Sequence, residues 1–195
     1  GTNGGAIYAG TSATLGGGVF AGNRAGTAGG AVFAGDAATV SGGTYSDDTA
    51  GTGGAIYASG VTVTGAAFLR NIATTAGGGG AIWASGAVVS TATDFTENSA
   101  GTEAPEGQGN GGAISADRVA IAGGNFTGNS ARHNGGAVYG ASSVAATDAT
   151  FVDNHSTYEG GALFTYDLLL VDGGTYRDNV ALTWGGAVYG NLVTV

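Results

Sequence analysis

The sequence predicts an all-β fold, a right-handed parallel β-helix (solenoid) of about 7.5 coils with 24–26 residues per coil. Three observations carry this expectation. A Gly-Gly-Ala-aliphatic step recurs eight times, opening at Gly4, Gly29, Gly53, Gly79, Gly111, Gly135, Gly160 and Gly185. An aromatic-x-x-Asn signature follows 15 or 16 residues after each of the first seven. The units are rich in Gly, Val, Ile, Thr and aromatics, which suit short strands and turns and not helices. A period of roughly 20–50 residues marks a stacked array in which each unit buries its apolar face against its neighbours. The hand follows from the preference of parallel β connections.

Within one unit, the first strand follows the Gly-Gly pair. Its aliphatic column, Ile7, Val32, Ile56, Ile82, Ile114, Val138, Leu163 and Val188, is expected inside. Strand alternation then turns the next column outward: Tyr8, Phe33, Tyr57, Trp83, Ser115, Tyr139, Phe164 and Tyr189. The change to Ser115 fits an outward column, because losing a buried aromatic costs about 3–5 kcal/mol.

The second strand alternates in the same way. Ala13, Ala38, Val61, Val88, Val119, Val144 and Leu169 read as inward, as do Leu15, Val40, Val63, Ser90, Ile121, Ala146 and Val171. Thr14, Thr39, Thr62, Thr64, Thr91 and Thr147 read as outward. The aromatic of the aromatic-x-x-Asn signature points in again and builds an internal stack.

The last column of that signature is Asn23, Asp48, Asn71, Asn98, Asn129, Asn154 and Asn179. At a tight corner an Asn side chain bonds nearby backbone and tolerates left-handed conformations. Identical amides can also bond to one another along a stack. The Gly-Gly pair supplies another corner, where positive φ or close backbone approach excludes a Cβ. Unit length varies between the Asn and the next Gly-Gly. The gap is four to seven residues in most units and twelve in Ser99–Asn110, expected as a protruding loop over 99–110. Such insertions gather on one face, often the binding face.

Residues 1–195 therefore read as a single β-helix domain. Gly1-Thr2-Asn3 and Leu192-Val193-Thr194-Val195 resemble unit interiors more than polar caps, so a window of a longer repetitive chain, or ends covered by other subunits, is expected.

The composition narrows function. Five arginines, no lysine and fourteen acids give a net charge of −9. Nucleic acid and anionic membranes both call for a positive footprint, so neither is an expected partner. No apolar run approaches the ~18 residues of a spanning helix, so membrane insertion is not expected. The absence of cysteine excludes disulfides and thiolate metal sites. With 42 glycines but one proline and no three-residue period, collagen is excluded.

The paired Gly-Gly-Ala-[Ile/Leu/Val] and Phe-x-x-Asn motifs resemble the repeats of chlamydial polymorphic outer membrane proteins, over Gly4 to Val195. That resemblance implies an autotransporter-passenger-like parallel β-helix, a surface location and an adhesive or structural role. The chain departs from the family in lacking cysteine.

Tyr8, Phe33, Tyr57, Trp83, Tyr139, Phe164 and Tyr189 are the interaction candidates, as an apolar stripe for a neighbouring β-helix, a receptor or a glycan. Two residues after the internal aromatics come Asp47, Glu97, Asp153 and Asp178, interrupted by Arg70. Asp153 and Asp178 on consecutive rungs could bridge a Ca²⁺ or form a solvated acidic edge, and the edge is the expectation. His133 and His155 sit in the variable loop one coil apart, where a metal pair competes with plain solvation. No cofactor is expected. Arg24, Arg70, Arg118, Arg132 and Arg177 occupy different registers and the acids are scattered, which argues against a polysaccharide-active site. Only Thr62-Val63-Thr64 is a clean Thr-x-Thr, too irregular an array for ice binding. Asn125 and Asn154 open glycosylation acceptor patterns, with Asn125 outward and Asn154 inaccessible in the corner.

The expected function is a non-enzymatic extracellular structural or adhesive repeat protein that self-associates end to end into a filament or side by side. The alternative is a monomeric adhesin that binds a receptor or glycan through its aromatic ladder and loops.

Overall fold

The computed structural model describes residues 1–103 and 108–195. Their architecture is an all-β parallel solenoid, and every pairing between its strands is parallel. The coils contribute strands to three sheets of fourteen, seven and six strands.

The fourteen-stranded sheet carries two rows. One begins at Ile7–Ala9, Val32–Ala34 and Ile56–Ala58, and the other at Ala13–Leu15, Ala37–Ser41 and Gly60–Thr64. In the fifth and sixth coils the two rows fuse into the continuous strands Ile114–Ala122 and Val138–Thr147. The seven-stranded sheet holds the internal aromatics, from Val19–Ala21 to Thr175–Arg177. The six-stranded sheet is built of two-residue strands such as Ile72–Ala73 and Ser130–Ala131.

Strand alternation sets the core. Val32, Ile56, Ile82, Ile114, Val138 and Leu163 are fully buried, and so are Val88, Val144 and Leu169 of the second row. Phe20, Tyr45, Phe68, Phe95, Phe126, Phe151 and Tyr176 stack face to face at centroid spacings of 4.6–5.1 Å. Each such pair contributes about 0.5–1.5 kcal/mol beyond its buried area. Three polar groups are carried at a cost inside this core. The Ser90 hydroxyl, between Val63 and Ile121, and the hydroxyls of Tyr45 and Tyr176 are buried without a partner.

The two glycines of the Gly-Gly step have separate reasons. The first adopts φ near +60° in every coil, from Gly4 to Gly185. The second lies against the backbone of the next coil. A Cβ on Gly136 would overlap the Gly161 carbonyl oxygen, and the same holds from coil to coil. One glycine is needed for φ and the other for close approach.

The left-handed residue at the Asn corner differs from expectation. It is the residue before the Asn: Asp47, Arg70, Glu97, Asp153 and Asp178 have φ between +51° and +57°, and Gly22 and Gly128 complete the column. The Asn residues themselves have no positive φ. Their side chains satisfy the corner while the preceding residue makes the turn.

Of the expected loop 99–110, Ser99 and Ala100 are a strand of the six-stranded sheet. Gly101 and Gly109 touch through their backbones at φ of +79° and +94°, which draws the two ends of the insertion together. Residues 104–107 of the expected loop lie outside the described residues.

Candidate functional site

The Asn column is a hydrogen-bonded ladder along the axis. Asn71 Nδ2 donates to Asn98 Oδ1 at 2.9 Å and to the Tyr45 carbonyl at 2.9 Å, and its backbone N–H reaches the same Oδ1 at 3.0 Å. Asn98 repeats this towards Asn129 and the Phe68 carbonyl, and Asn129 towards Asn154 and the Phe95 carbonyl. Asn154 continues to Asn179, whose Nδ2 bonds the Phe151 carbonyl. Asn98, Asn129 and Asn154 thus each spend both side-chain donors and accept twice. Asn71, Asn98, Asn129 and Asn154 are fully buried, so Asn154 has no route to modification.

Asp48 breaks the pattern. Its Oδ1 accepts from the backbone and side-chain nitrogens of Asn23, both at 2.8 Å. Its Oδ2, fully buried, has no partner. Burial pushes this carboxyl up to about 6, and the Asp47 charge adds to the rise against the Asn23 hydrogen bonds.

The outward column forms two aromatic stacks. Tyr8, Phe33, Tyr57 and Trp83 stack at 5.1, 5.2 and 4.5 Å, within 10° of parallel. Tyr139, Phe164 and Tyr189 stack at 5.5 and 5.2 Å. Phe33, Tyr57, Trp83, Tyr139 and Tyr189 are half-buried, and Tyr8 is 64% exposed.

Two members of the column correct the expectation of an open stripe. Phe164 is fully buried, because Tyr166 lies edge-on to its ring at 4.9 Å while Tyr139 and Tyr189 cover its faces. Ser115 is 4% exposed although it stands on the outward face. It pairs with Trp83 on one side and Tyr139 on the other, so it sits at the foot of a gap between the two stacks.

Two hollows follow the column. One, of about 430 Å³, runs past Phe33, Tyr57 and Trp83. The other, of about 400 Å³, occupies the Ser115 gap between Trp83 and Tyr139, and Gly77 and Trp83 line both. Asp117 borders the second hollow. The strand pairing slips between Ala116 and Arg118, where Ala141 and Ser142 of the facing strand together oppose Asp117, so the extra residue lies in Val138–Thr147. A bulge re-aims a side chain. Ser142 Oγ donates to Asp117 Oδ1, and Arg118 Nη1 lies 3.3 Å from Oδ2.

The remaining candidates stay apart. Asp153 and Asp178 are exposed, and Asp178 pairs with its neighbour Arg177 at 3.4 Å. Arg70 holds Asp47 across one coil through two bonds of 2.8 and 2.9 Å, which lowers the Asp47 carboxyl. His155 is on a strand, paired with Ser130 and Val180, and not in the variable loop. His133 lies elsewhere, within 3.0 Å of Asn110 Oδ1 and edge-on to Tyr158, and burial lowers its imidazole. The two histidines therefore do not pair. Among the described residues, no group of three or more His, Asp or Glu side chains could hold a metal ion. Asn125 is exposed, with its Nδ2 donating to Asp94 Oδ1 at 2.8 Å. The outward second-row column reads Thr14, Thr39, Thr62, Val89, Ala120, Ala145 and Leu170, a mixed surface and no regular threonine plane.

The model of the Chlamydia polymorphic membrane protein repeat matches residues 92–117, 123–141 and 148–166, about a third of the chain. Each matched segment runs from a Phe-x-x-Asn signature through the next Gly-Gly-Ala step. The chain carries polymorphic membrane protein-type repeats wound into a β-helix. No curated protein and no solved structure matches it.

Proposed function

We propose that this chain is a non-enzymatic, surface-displayed repeat scaffold whose outward aromatic column is its adhesive face. The observation that carries the reading is the two-part stack of Tyr8, Phe33, Tyr57, Trp83 and of Tyr139 and Tyr189 about the covered Phe164, along one side of the solenoid. Half-buried aromatics in a row hold a fixed geometry at little entropic cost on binding, and stripes of this kind mark interaction surfaces. The repeat type, named for membrane proteins, supports display at an outer surface. Carboxylates scattered among several columns support a binding role over catalysis.

The test is adhesion of purified protein to host-type cell surfaces. Phe33→Ser together with Tyr57→Ser should abolish adhesion while the β-sheet circular dichroism persists. Undiminished adhesion of that double variant would overturn the reading.

A second reading, end-to-end assembly into a filament, draws on the parallel ladders with which each coil pairs with the next. Uniform fibres of native material in electron micrographs support it, and isolated short rods overturn it.

A further inference from the structure

The aromatic column is broken at one coil, and the break is itself a shaped feature. Trp83, Ser115 and Tyr139 occupy the same register on three successive coils. The first and third present ring faces, and the second presents a hydroxymethyl group. Two rungs of ~4.8 Å separate the flanking rings by about 10 Å. Elsewhere in the column one ring fills each step at 4.5–5.5 Å. The gap is therefore one ring thick. Its floor is almost closed to solvent at Ser115, and its volume is about 400 Å³.

The walls say what kind of ring fits. Trp83 and Tyr139 offer flat apolar faces. Ser115, Ser85 and Asn110 offer polar groups, and Asp117, opposite the bulge at Ala141 and Ser142, sets a carboxylate at the rim. Ser142 holds that carboxylate through Oδ1, which leaves lone pairs on Oδ2 beside Arg118. A purely aromatic occupant would use the faces and leave the polar rim unsatisfied. A pyranose ring uses both, with its C–H faces against the aromatics and its hydroxyls donating to the carboxylate. The chain's charge of −9 disfavours sialylated or sulfated sugars.

We propose that the Ser115 gap is a binding slot for one uncharged hexopyranose ring of a glycan, sandwiched between Trp83 and Tyr139 and hydrogen-bonded by Asp117. The hollow beside Phe33, Tyr57 and Trp83 adjoins the slot through Gly77 and Trp83, and it carries neighbouring sugars of the same chain. This inference rests on the aromatic column as the contact face and names its ligand class.

The probe is Trp83 fluorescence in a Trp184→Phe background, since Trp83 and Trp184 are the two tryptophans. Cellohexaose, chitohexaose and maltohexaose are titrated, with oligosialic acid as a charged control. At least one neutral hexaose should give a saturable change, and the control none. Ser115→Tyr completes the column with a residue type it holds in other coils, so it keeps the fold and fills the slot. Binding should fall at least tenfold in Ser115→Tyr and in Asp117→Ala, and stay unchanged in Val19→Ala, an exposed position on the seven-stranded sheet away from the column. No response to any neutral hexaose overturns the proposal. Full binding by Ser115→Tyr also overturns it. If Phe33→Ser with Tyr57→Ser then loses cell adhesion, the adhesive column survives without the slot. A change of oligomeric state in Ser115→Tyr, with no glycan response in the parent, would mean that the slot takes an aromatic side chain of another protein, and the proposal falls.

Discussion

Replacing Asp48 by Asn should stabilise the protein, by an amount that depends on pH in a predictable way. In the other rungs an amide Nδ2 donates to the next rung and to the carbonyl of the preceding aromatic. In Asp48 the corresponding atom is Oδ2, an acceptor that faces acceptors and has no partner. The folded protein keeps a proton there up to about pH 6, the carboxyl being raised from 3.8 to about 6 by burial first of all. Because the folded value lies above the unfolded one, the native state binds more protons between them. Stability is therefore fully present below about pH 4 and is lost as pH rises through about 6. A shift of about two units corresponds to about 3 kcal/mol. Asp48→Asn removes that loss and restores the missing donor. Urea unfolding followed by circular dichroism should show the variant about 3 kcal/mol more stable than the parent at pH 8, with most of that difference gone at pH 4. An equal difference at both pH values, or none at pH 8, would refute the reasoning.

Three further substitutions test other parts of the scaffold. Asn98→Ala should cost about 3 kcal/mol or more, because it orphans the Phe68 carbonyl and the donors of Asn71, and hydrogen exchange should rise first in the flanking coils. Gly136→Ala should be more damaging still, since its Cβ would meet the backbone of the next coil, and a soluble variant with parental thermal stability would contradict the close-approach argument. Ser90→Val should stabilise by about 1–2 kcal/mol, read as a higher urea midpoint, by replacing an unpartnered buried hydroxyl with a side chain like its neighbours Val63 and Ile121.

Much of the fold is legible in the sequence because a solenoid repeats its instructions. The columns Val32 to Leu163 and Val88 to Leu169 alternate with period two inside each coil and recur about every 25 residues, so the inward set and the strand pairs follow together. The corner amides are legible for a similar reason: Asn recurs at a fixed distance from an aromatic, and only a stacked side-chain ladder needs that. The left-handed position was less visible. Asp47, Arg70, Glu97, Asp153 and Asp178 share no chemistry that announces positive φ, and only Gly22 and Gly128 in the same column hint at it.

The candidate site divides along the same line. Which residues face outward on the first strand is a property of one strand and was readable from Tyr8 to Tyr189. How open each of them is depends on side chains one coil away or around a turn, and periodicity carries no information about those. Phe164 disappears because Tyr166 folds over it, and Ser115 becomes the floor of a slot because rings stand on both neighbouring coils. Asp117 reaches the rim because the ladder slips by a residue at that point, in strands that fuse two rows into one. Sequence alone determined the repeat, its phase and its inward columns, since those follow from alternation along the backbone. The tertiary structure alone decided the slot and its walls, because they are made by contacts between residues about 25 apart whose side chains differ from the repeat.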